Sequence, residues 1–484
     1  MLKSNIAWMK KNVPSDLKVW KGMIQDIDWS QVAAKTKLSL QRDKDRITAE
    51  FKEFAAMDTS AKIDWLMNGD RHLGYLYKKD AIAFARREWK GLKSVGYDFV
   101  GWLKIWGGML NMVMKDPMSI MLAVFEYHWF ASYLATPAVV DRSVFGRRGK
   151  LLQADFDMWV AITHWAEDLI ANLIMADAKI GGNQKINKRI IMFDEMTMAQ
   201  MMAGFPNLLG IPYQMIPVFM VSEMDQLTLI PYIDAIESYG LPSDTCPLPT
   251  AECGCAVKDE YPMCGQGFIA SSMPCDGSVM ATSFQDRRFS KFMPSYPLCM
   301  PVRYDDEDTT EMAAADMKDC IHWVEGLTGE TWNWDTYFAT MEKMNECTRL
   351  EMEKWEINKT HYPQLVGSSF ELFRKWNYEM DGGIDPRVIK TCEKVSKLIR
   401  EGYENRDEAW PGKMKYRAIV WSCPAHYYAN FSNWAANCWG IDVLVEMESL
   451  NFTKPLETED KEEALRDLAR LYERMVMRRH TNGG

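Results

Sequence analysis

Apolar residues recur at helical spacing through the first part of the chain. Ile63, Leu66 and Met67 lie three and four residues apart, the spacing of one face of an α-helix. A longer stretch with the same period covers 156–178 and stops before a pair of glycines, residues that commonly end helices. Turn clusters are few. The pattern predicts an all-helical N-terminal region over residues 1–186.

From residue 187 onward, short apolar runs alternate with helical patterns. This order is typical of an α/β domain with a parallel sheet, and it predicts a first α/β domain over residues 187–307. In such sheets the loops beyond the carboxyl ends of the strands build the site. The predicted elements are strands at 189–193, 213–218, 267–271 and 296–302, with a helix at 196–204.

A polar, helical stretch interrupts the strand pattern. It predicts a helical insertion over residues 308–410, with helices at 308–326, 335–359 and 386–402. Strands at 417–421 and 440–445 and a helix at 459–478 follow. They predict a second α/β domain, 411–484, with fewer strands than a complete doubly wound unit has. The predicted fold class is therefore α/β: two doubly wound parallel-sheet half-domains with a helical insertion, after an all-helical N-terminal region.

Composition narrows the range of partners. The net charge is −10 and the isoelectric point is about 5.4, which argues against general binding to nucleic acid or to anionic lipid. The N-terminus shows no secretory signal, so we expect a cytoplasmic protein with reduced thiols. Residues 117–140 are apolar, but Glu126 and His128 lie inside them. Because charge within a membrane is costly, the segment predicts a buried helix rather than a membrane span.

Cysteines are the most informative candidates for chemistry. Five of the 11 cysteines fall between Cys246 and Cys275, within the phrases SDTCP and MPCDG and the sequence that joins them. Thiolates suit zinc and iron–sulfur clusters, but the spacing matches no common zinc motif. Buried or surface thiols, an iron–sulfur site and a zinc site all remain open. His164 and Glu167 lie one helical turn apart without a second such pair, and they predict a polar helix face instead.

Several motifs, in order, resemble one known family. They are SDTCPLP at 243–249, GFIASSMPCDG at 267–277, YPLCMPVRYDDED at 296–308, GSSFELF at 367–373 and RAIVWSCPAHYY at 417–428. In this order and spacing the chain resembles the 2-hydroxyacyl-CoA dehydratase and benzoyl-CoA reductase family over residues 187–484. Each motif alone is modest, and their common order carries the resemblance.

The resemblance implies a four-iron, four-sulfur cluster. Cys246 and Cys275 match the first two thiolate ligands of the family's cluster. The family's third ligand lies further toward the C-terminus than this sequence extends. Cys423, at the end of a predicted strand, matches a different family position and is a substitute candidate. A flavin is a second candidate cofactor.

Further residues become candidates by their position beside these ligands. Asp244, Thr245 and Asp276 flank the two cysteines and could hydrogen-bond around a cluster, although exposed loop residues are the plain alternative. His426 follows a predicted strand where a proton-transfer residue could stand. It is a weak catalytic candidate, because a solvated loop histidine has the same pattern. Near 191–196, where some family members carry serines, this sequence has none, and the substrate class stays open.

As to function, the resemblance implies one subunit of a 2-hydroxyacyl-CoA dehydratase. In the family, an ATP-hydrolysing iron–sulfur activator protein supplies one electron, and a ketyl radical of the acyl-CoA then eliminates water. The chain has no GxxxxGK[ST] loop of its own, so ATP hydrolysis is expected in the partner. A second subunit of related fold is also expected. The alternatives are a subunit of a benzoyl-CoA type reductase and a non-catalytic structural partner in such a complex.

Overall fold

The chain divides into two compact units, Met1–Tyr75 and Leu76–Gly484. A computed structural model describes a few residues between 52 and 62, and the remainder of the description lies in the second unit. There it covers residues 91–144, 147, 149–180, 189–194, 199–221, 226–272, 276–300, 306–364, 368–407, 415–420, 435–446 and 454–473. The labels below number the helices and strands of these ranges in chain order.

The described residues between 91 and 180 form helices joined by single non-helical residues. They are α1 (Gly91–Lys115), α2 (Pro117–Glu126), a 3-10 helix (His128–Ala135), α3 (Thr136–Val144) and α4 (Gly149–Ala176). The apolar segment 117–140 is thus three short elements rather than one helix. None of the described helices combines the length and the apolar character that crossing a membrane requires. The prediction for 1–186 as a whole stays a prediction, because most of residues 1–90 are outside the description.

Helix α1 packs closely along α4 because two of its residues lack a side chain. A Cβ atom at Gly101 would lie 2.5 Å from Cδ1 of Phe156, and one at Gly108 would lie 2.2 Å from Oε2 of Glu167. Contacts this short are not tolerated between packed atoms. The two glycines therefore set the distance between α1 and α4, and they bring α1 against a carboxylate.

A four-stranded parallel sheet follows. Its strands are β1 (Ile190–Phe193), β2 (Leu209–Pro212), β3 (Gly267–Ser271) and β4 (Ser295–Leu298). They are ordered β2-β1-β3-β4, and every neighbouring pair is parallel. Strands β1 and β3 are buried along their whole length, as expected for central strands of a parallel sheet covered by helices. The α/β class with a parallel sheet is therefore confirmed.

The sequence located three of these four strands. The predictions at 189–193, 267–271 and 296–302 correspond to β1, β3 and β4, although 301–305 lie outside the described residues. The strand predicted at 213–218 is wrong: a turn and a π-helix (Met215–Phe219) occupy this segment, and β2 ends at Pro212. Apolar side chains are buried in either conformation, so the pattern did not distinguish them. The true strand contains Gly210 and Pro212, which a sheet accepts at its edge.

Helices connect and cover these strands. They are α5 (Ala199–Met202), α6 (Ile230–Glu237), α7 (Pro247–Val257) and α8 (Asp276–Phe289). Helix α5 is shorter than the helix predicted at 196–204, of which residues 196–198 are not described. Helix α7 packs against both α6 and α8. Helices α7 and α8 each begin directly after one of the two cysteines that the sequence singled out.

The predicted helical stretch after β4 is present. It contains α9 (Glu307–Thr328), α10 (Trp334–Asn358), α11 (Ser368–Lys375), a π-helix (Trp376–Asp381) and α12 (Pro386–Glu404). Asp306, Asn333 and Asp385 cap α9, α10 and α12 by accepting hydrogen bonds from backbone N–H groups. Such caps satisfy donors at the first turn that have no partner within the helix. Local sequence signals therefore set where these helices begin.

Two further strands lie near the C-terminal end of the described residues. Strand β5 (Tyr416–Val420) pairs in parallel with β6 (Ile441–Glu446), with an irregular register between Ala418 and Ile419. Helix α13 (Lys461–Glu473) follows and packs on α9. The elements predicted at 417–421, 440–445 and 459–478 are thus found within a few residues. The doubly wound half-domains and the boundaries of the four predicted domains stay predictions.

Candidate functional site at the carboxyl edge of the parallel sheet

Cys246 is the N-cap residue of α7. Its backbone is extended (φ −51°, ψ 125°), and Pro247 begins the helix. Its carbonyl oxygen accepts hydrogen bonds from the N–H and the hydroxyl of Thr250, at 3.2 and 2.8 Å. The residue is exposed. The positive end of a helix dipole favours negative charge at this position, and thiolate is the form of cysteine that binds metals.

The other predicted site positions are described in part. Asp244 is exposed and Thr245 half-buried in the turn before α7, where the N–H of Thr245 donates to the carbonyl oxygen of Pro242 at 3.2 Å. Asp276 begins α8, and its side chain is not described. Cys275, Cys423 and His426 lie outside the described residues. Neither the distance between Cys246 and Cys275 nor the roles of Cys423 and His426 are tested.

Three of the five clustered cysteines are buried thiols. Cys253 and Cys255 lie within α7, and Cys264 lies before β3, in contact with Sδ of Met192 at 3.7 Å. Burial raises the pKa of all three thiols, that of Cys253 to about 12, with the neighbouring Glu252 adding to the rise. A protonated, buried thiol behaves as a small apolar side chain. Of these five residues, Cys246 is therefore the one described as exposed.

Asp194 is a buried carboxylate directly after β1. Its Oδ2 accepts a hydrogen bond from the backbone N–H of Ser271, the last residue of β3, and a longer one from Oγ1 of Thr282 at 3.3 Å. Its own N–H donates to the carbonyl oxygen of Ile269 at 3.1 Å. Asp194 thus ties together the carboxyl ends of β1 and β3 and one face of α8. The sequence reading noted only that serines were missing here and overlooked this residue.

Helix α8 turns a polar face inward toward the same edge. Gln285 accepts a hydrogen bond from Nε2 of Gln214 at 2.8 Å and donates one to the hydroxyl of Tyr261 at 2.9 Å. Gln214 follows the end of β2, and both glutamines are fully buried. The signal in the sequence was the spacing of Ser278, Thr282 and Gln285, four and three residues apart on one helix face. The pattern of cysteines does not contain this signal.

The strand ends beyond β3 and β4 are fixed by side-chain hydrogen bonds. Oγ of Ser272 donates to the carbonyl oxygen of Met300 at 2.6 Å and accepts from its N–H at 2.9 Å. Asp316 on α9 accepts from the N–H of Cys299 at 2.7 Å and from the hydroxyl of Tyr296 at 2.8 Å. These bonds fix Ser272, the last described residue before the segment that contains Cys275, to the end of β4.

Among the described side chains at this edge, that of Cys246 is the one suited to a metal cluster. Cys246 has the ligand type, the exposure and the helix-end location that a thiolate ligand needs. Within the ranges that the structure covers, no three His, Cys, Asp or Glu side chains converge as a metal site would require. Cys246 is thus an exposed thiol at the start of α7, and the assignment of Cys246 and Cys275 as cluster ligands stays a prediction.

A comparison with models of protein families identifies the family of the chain. Residues 226–483, more than half of the 484 residues, match the family described as "2-hydroxyglutaryl-CoA dehydratase, D-component". The chain belongs to this family. The match confirms the resemblance drawn from the sequence motifs, and it includes both cysteine phrases. No curated protein matches the chain significantly. Membership in the D-component family implies a dehydratase component that works in a complex with other components.

Proposed function

We propose that the chain is a catalytic component of a 2-hydroxyacyl-CoA dehydratase that binds a four-iron, four-sulfur cluster through Cys246 and Cys275. The observation that carries the proposal is the location of Cys246 within the family match. It is an exposed thiol at the N-terminus of a helix that packs against α8, and α8 begins directly after Cys275. Family membership alone gives the dehydratase component, and the cluster chemistry is our extension.

The surrounding residues support a site at this edge. In open α/β folds, ligands bind beyond the carboxyl ends of the strands, where Asp194, Ser272 and Gln214 lie. Asp194 accepts hydrogen bonds from Ser271, before the segment with Cys275, and from Thr282 on α8, after it, and Ser272 is fixed to Met300. A rigid frame of this kind keeps ligand side chains in a fixed geometry. We assign these residues to positioning rather than to proton transfer.

The chemistry that a bound cluster would supply is transfer of a single electron to the thioester of an acyl-CoA. The protein's own task is to bind the acyl-CoA beside that cluster and to keep water away. For the complex we propose an ATP-hydrolysing iron–sulfur activator and a second subunit of related fold. A flavin is a further candidate cofactor. His426 is a candidate for proton transfer, and Cys423 for an additional ligand.

Iron and acid-labile sulfide analysis of protein purified without oxygen tests the proposal. We expect about four irons and four sulfides per chain, the content of one such cluster. Cys246→Ala and Cys275→Ala should each lose most of both. The matched control is Cys253→Ala, which removes a buried thiol about two turns further along α7 and should retain the iron. If wild-type protein prepared without oxygen contains no iron above background, the proposal that this chain alone binds a cluster is overturned.

Turnover assays then separate the reactions within the family. Wild-type protein, combined with an activator and ATP, should eliminate water from a 2-hydroxyacyl-CoA. Reduction of an aryl-CoA without such elimination would instead assign a reductase subunit. If the chain binds iron but turns over neither class of acyl-CoA in the complete complex, the catalytic assignment fails and a structural role in the complex replaces it.

A further inference from the structure

Two cysteines that are 45 residues apart in the sequence meet between α10 and α12. Cys347 lies on α10 and Cys392 on α12, and the two helices pack against each other. The two side chains are close enough to interact, and the thiol of Cys392 donates a hydrogen bond to the carbonyl oxygen of Cys347 at 3.7 Å. Both side chains are buried. Thiols in contact need only a small movement to reach the geometry of a disulfide.

Charged side chains surround this pair. Lys354 is fully buried on α10, and its ammonium group has no hydrogen-bond partner in the described structure; it lies over the ring of Phe370, 5.2 Å from the centroid. Arg374 forms a buried ion pair with Glu351, and Oε1 of Glu351 lies 4.0 Å from Sγ of Cys392. The charge of Glu351 is balanced by Arg374, whereas burial lowers the pKa of Lys354.

This environment favours a thiolate at Cys392. The interaction with the Cys347 thiol lowers the pKa of Cys392 despite burial, and the charges of Lys354 and Arg374 act in the same direction. The same interaction and burial raise the pKa of Cys347. One sulfur is thus suited to be the nucleophile, because thiolates react and thiols do not. The other sulfur is held beside it as the resolving thiol.

We propose that Cys347 and Cys392 form a redox-active dithiol, which hydrogen peroxide converts into a disulfide that joins α10 to α12. The sulfur of Cys392 attacks one peroxide oxygen, and the O–O bond breaks to leave a sulfenic acid and hydroxide, which takes up a proton to form water. The sulfur of Cys347 then displaces hydroxide from the sulfenic sulfur, and the proton of Cys347 leaves with it as a second water. Two thiols are oxidised to one disulfide, and one peroxide is reduced to two waters.

The disulfide would fix a contact on which other helices depend. Helix α12 packs on α4 as well as on α10, and α11 also packs on α4. A covalent bond between α10 and α12 therefore restricts the helices on both sides of the buried charged cluster. The inference is independent of the cluster at Cys246, because its readout is a covalent bond and not turnover.

Peptide mass spectrometry of the full chain tests the inference. Protein purified without oxygen is treated with hydrogen peroxide, denatured with a thiol-alkylating reagent present, digested and analysed. We expect one linked pair of peptides, from α10 and α12, that loses the link on treatment with dithiothreitol. Cys347 and Cys392 should both escape alkylation after peroxide and both be alkylated before it. Independent oxidation of the two residues, or unchanged alkylation of both, would overturn the inference.

Two variants sharpen the result. In Cys392→Ser, Cys347 should remain open to alkylation after peroxide, because its partner sulfur is gone. Cys320→Ser is the matched control, since it removes another buried thiol, on α9, and should leave the linked peptides unchanged. A peroxide-dependent rise in melting temperature should occur in wild type and in the control but not in Cys392→Ser. If Cys392→Ser does not fold, the peptides of the wild-type protein still decide.

Discussion

Glu167 offers a test of how the fold treats a buried carboxyl. The side chain lies on α4 against α1, and the residue is 7% exposed. Its Oε1 has no hydrogen-bond partner in the described structure, and it lines a small cavity with Trp159 and Thr163. The sequence predicts a polar helix face at His164 and Glu167, and the packing of α1 buries the Glu167 side chain. The neighbouring His164 has a hydrogen-bond partner, because its Nε2 lies 2.9 Å from the carbonyl oxygen of Lys104.

Burial raises the pKa of Glu167 from 4.5 to about 8, and the nearby charge of Asp168 adds to the rise, while Lys115 and Arg387 oppose it. The folded chain therefore holds a proton that the unfolded chain releases near pH 4.5. Each pKa unit corresponds to about 1.4 kcal/mol, so the free energy of unfolding falls by at most about 5 kcal/mol. The fall begins above pH 4.5 and is complete above pH 8.

Substitution Glu167→Gln removes the titration and keeps the shape. The stability of the variant relative to wild type should rise steadily between pH 5 and pH 8 and then level off. Three pH units correspond to about 4 kcal/mol. For a unit of this size, 1 kcal/mol shifts the melting temperature by about 1 °C, so the difference should grow by about 4 °C across this range. Thermal melts followed by circular dichroism at half-unit pH steps measure it. The other buried carboxyls are common to both proteins and cancel in the difference.

The matched control is Glu342→Gln, an exposed glutamate on α10. Its melting curve should run parallel to that of wild type at every pH, because solvent surrounds the carboxylate in the folded and unfolded chain alike. If Glu167→Gln also runs parallel to wild type, or loses stability as the pH rises, then Glu167 is ionised in the folded protein and the reasoning from burial is refuted.

Two further predictions concern packing. Glu351→Ala removes the buried ion-pair partner of Arg374 and should lower the free energy of unfolding in denaturant by about 3–5 kcal/mol. Glu353→Ala, in a half-exposed ion pair, should lower it by less than about 1 kcal/mol. Equal losses in the two variants would contradict the difference in burial. Gly254→Ala places a Cβ atom 1.9 Å from a backbone carbonyl oxygen of α6 and should destabilise by at least about 1–3 kcal/mol. Gly326→Ala, in open space on α9, should instead be neutral or stabilise by up to about 1 kcal/mol. If both variants change the melting temperature by the same amount, the close contact between Gly254 and α6 is absent.

The sequence by itself determined elements whose signals are local. Strand β3 and the start of α12 at Pro386 fall where they were predicted, because an apolar run and a proline after a capping aspartate act within a few residues. Gly329, with φ 72°, ends α9 for the same kind of reason. The family, too, could be recognised from the sequence, since its motifs are short phrases whose order is visible without a fold.

Only the tertiary structure decided which distant residues meet. Residues 213–218 have the apolar pattern of a strand, yet the neighbouring segment 209–212 pairs with β1, because register is set by contacts across the sheet. The sequence does not show that Cys347 and Cys392 are neighbours, because it is the packing of α10 against α12 that brings them together. Glu167 was assigned to a polar face because helical spacing tells which residues share a face, but not what covers it. Burial and electrostatics arise from long-range packing, and a local pattern does not contain them.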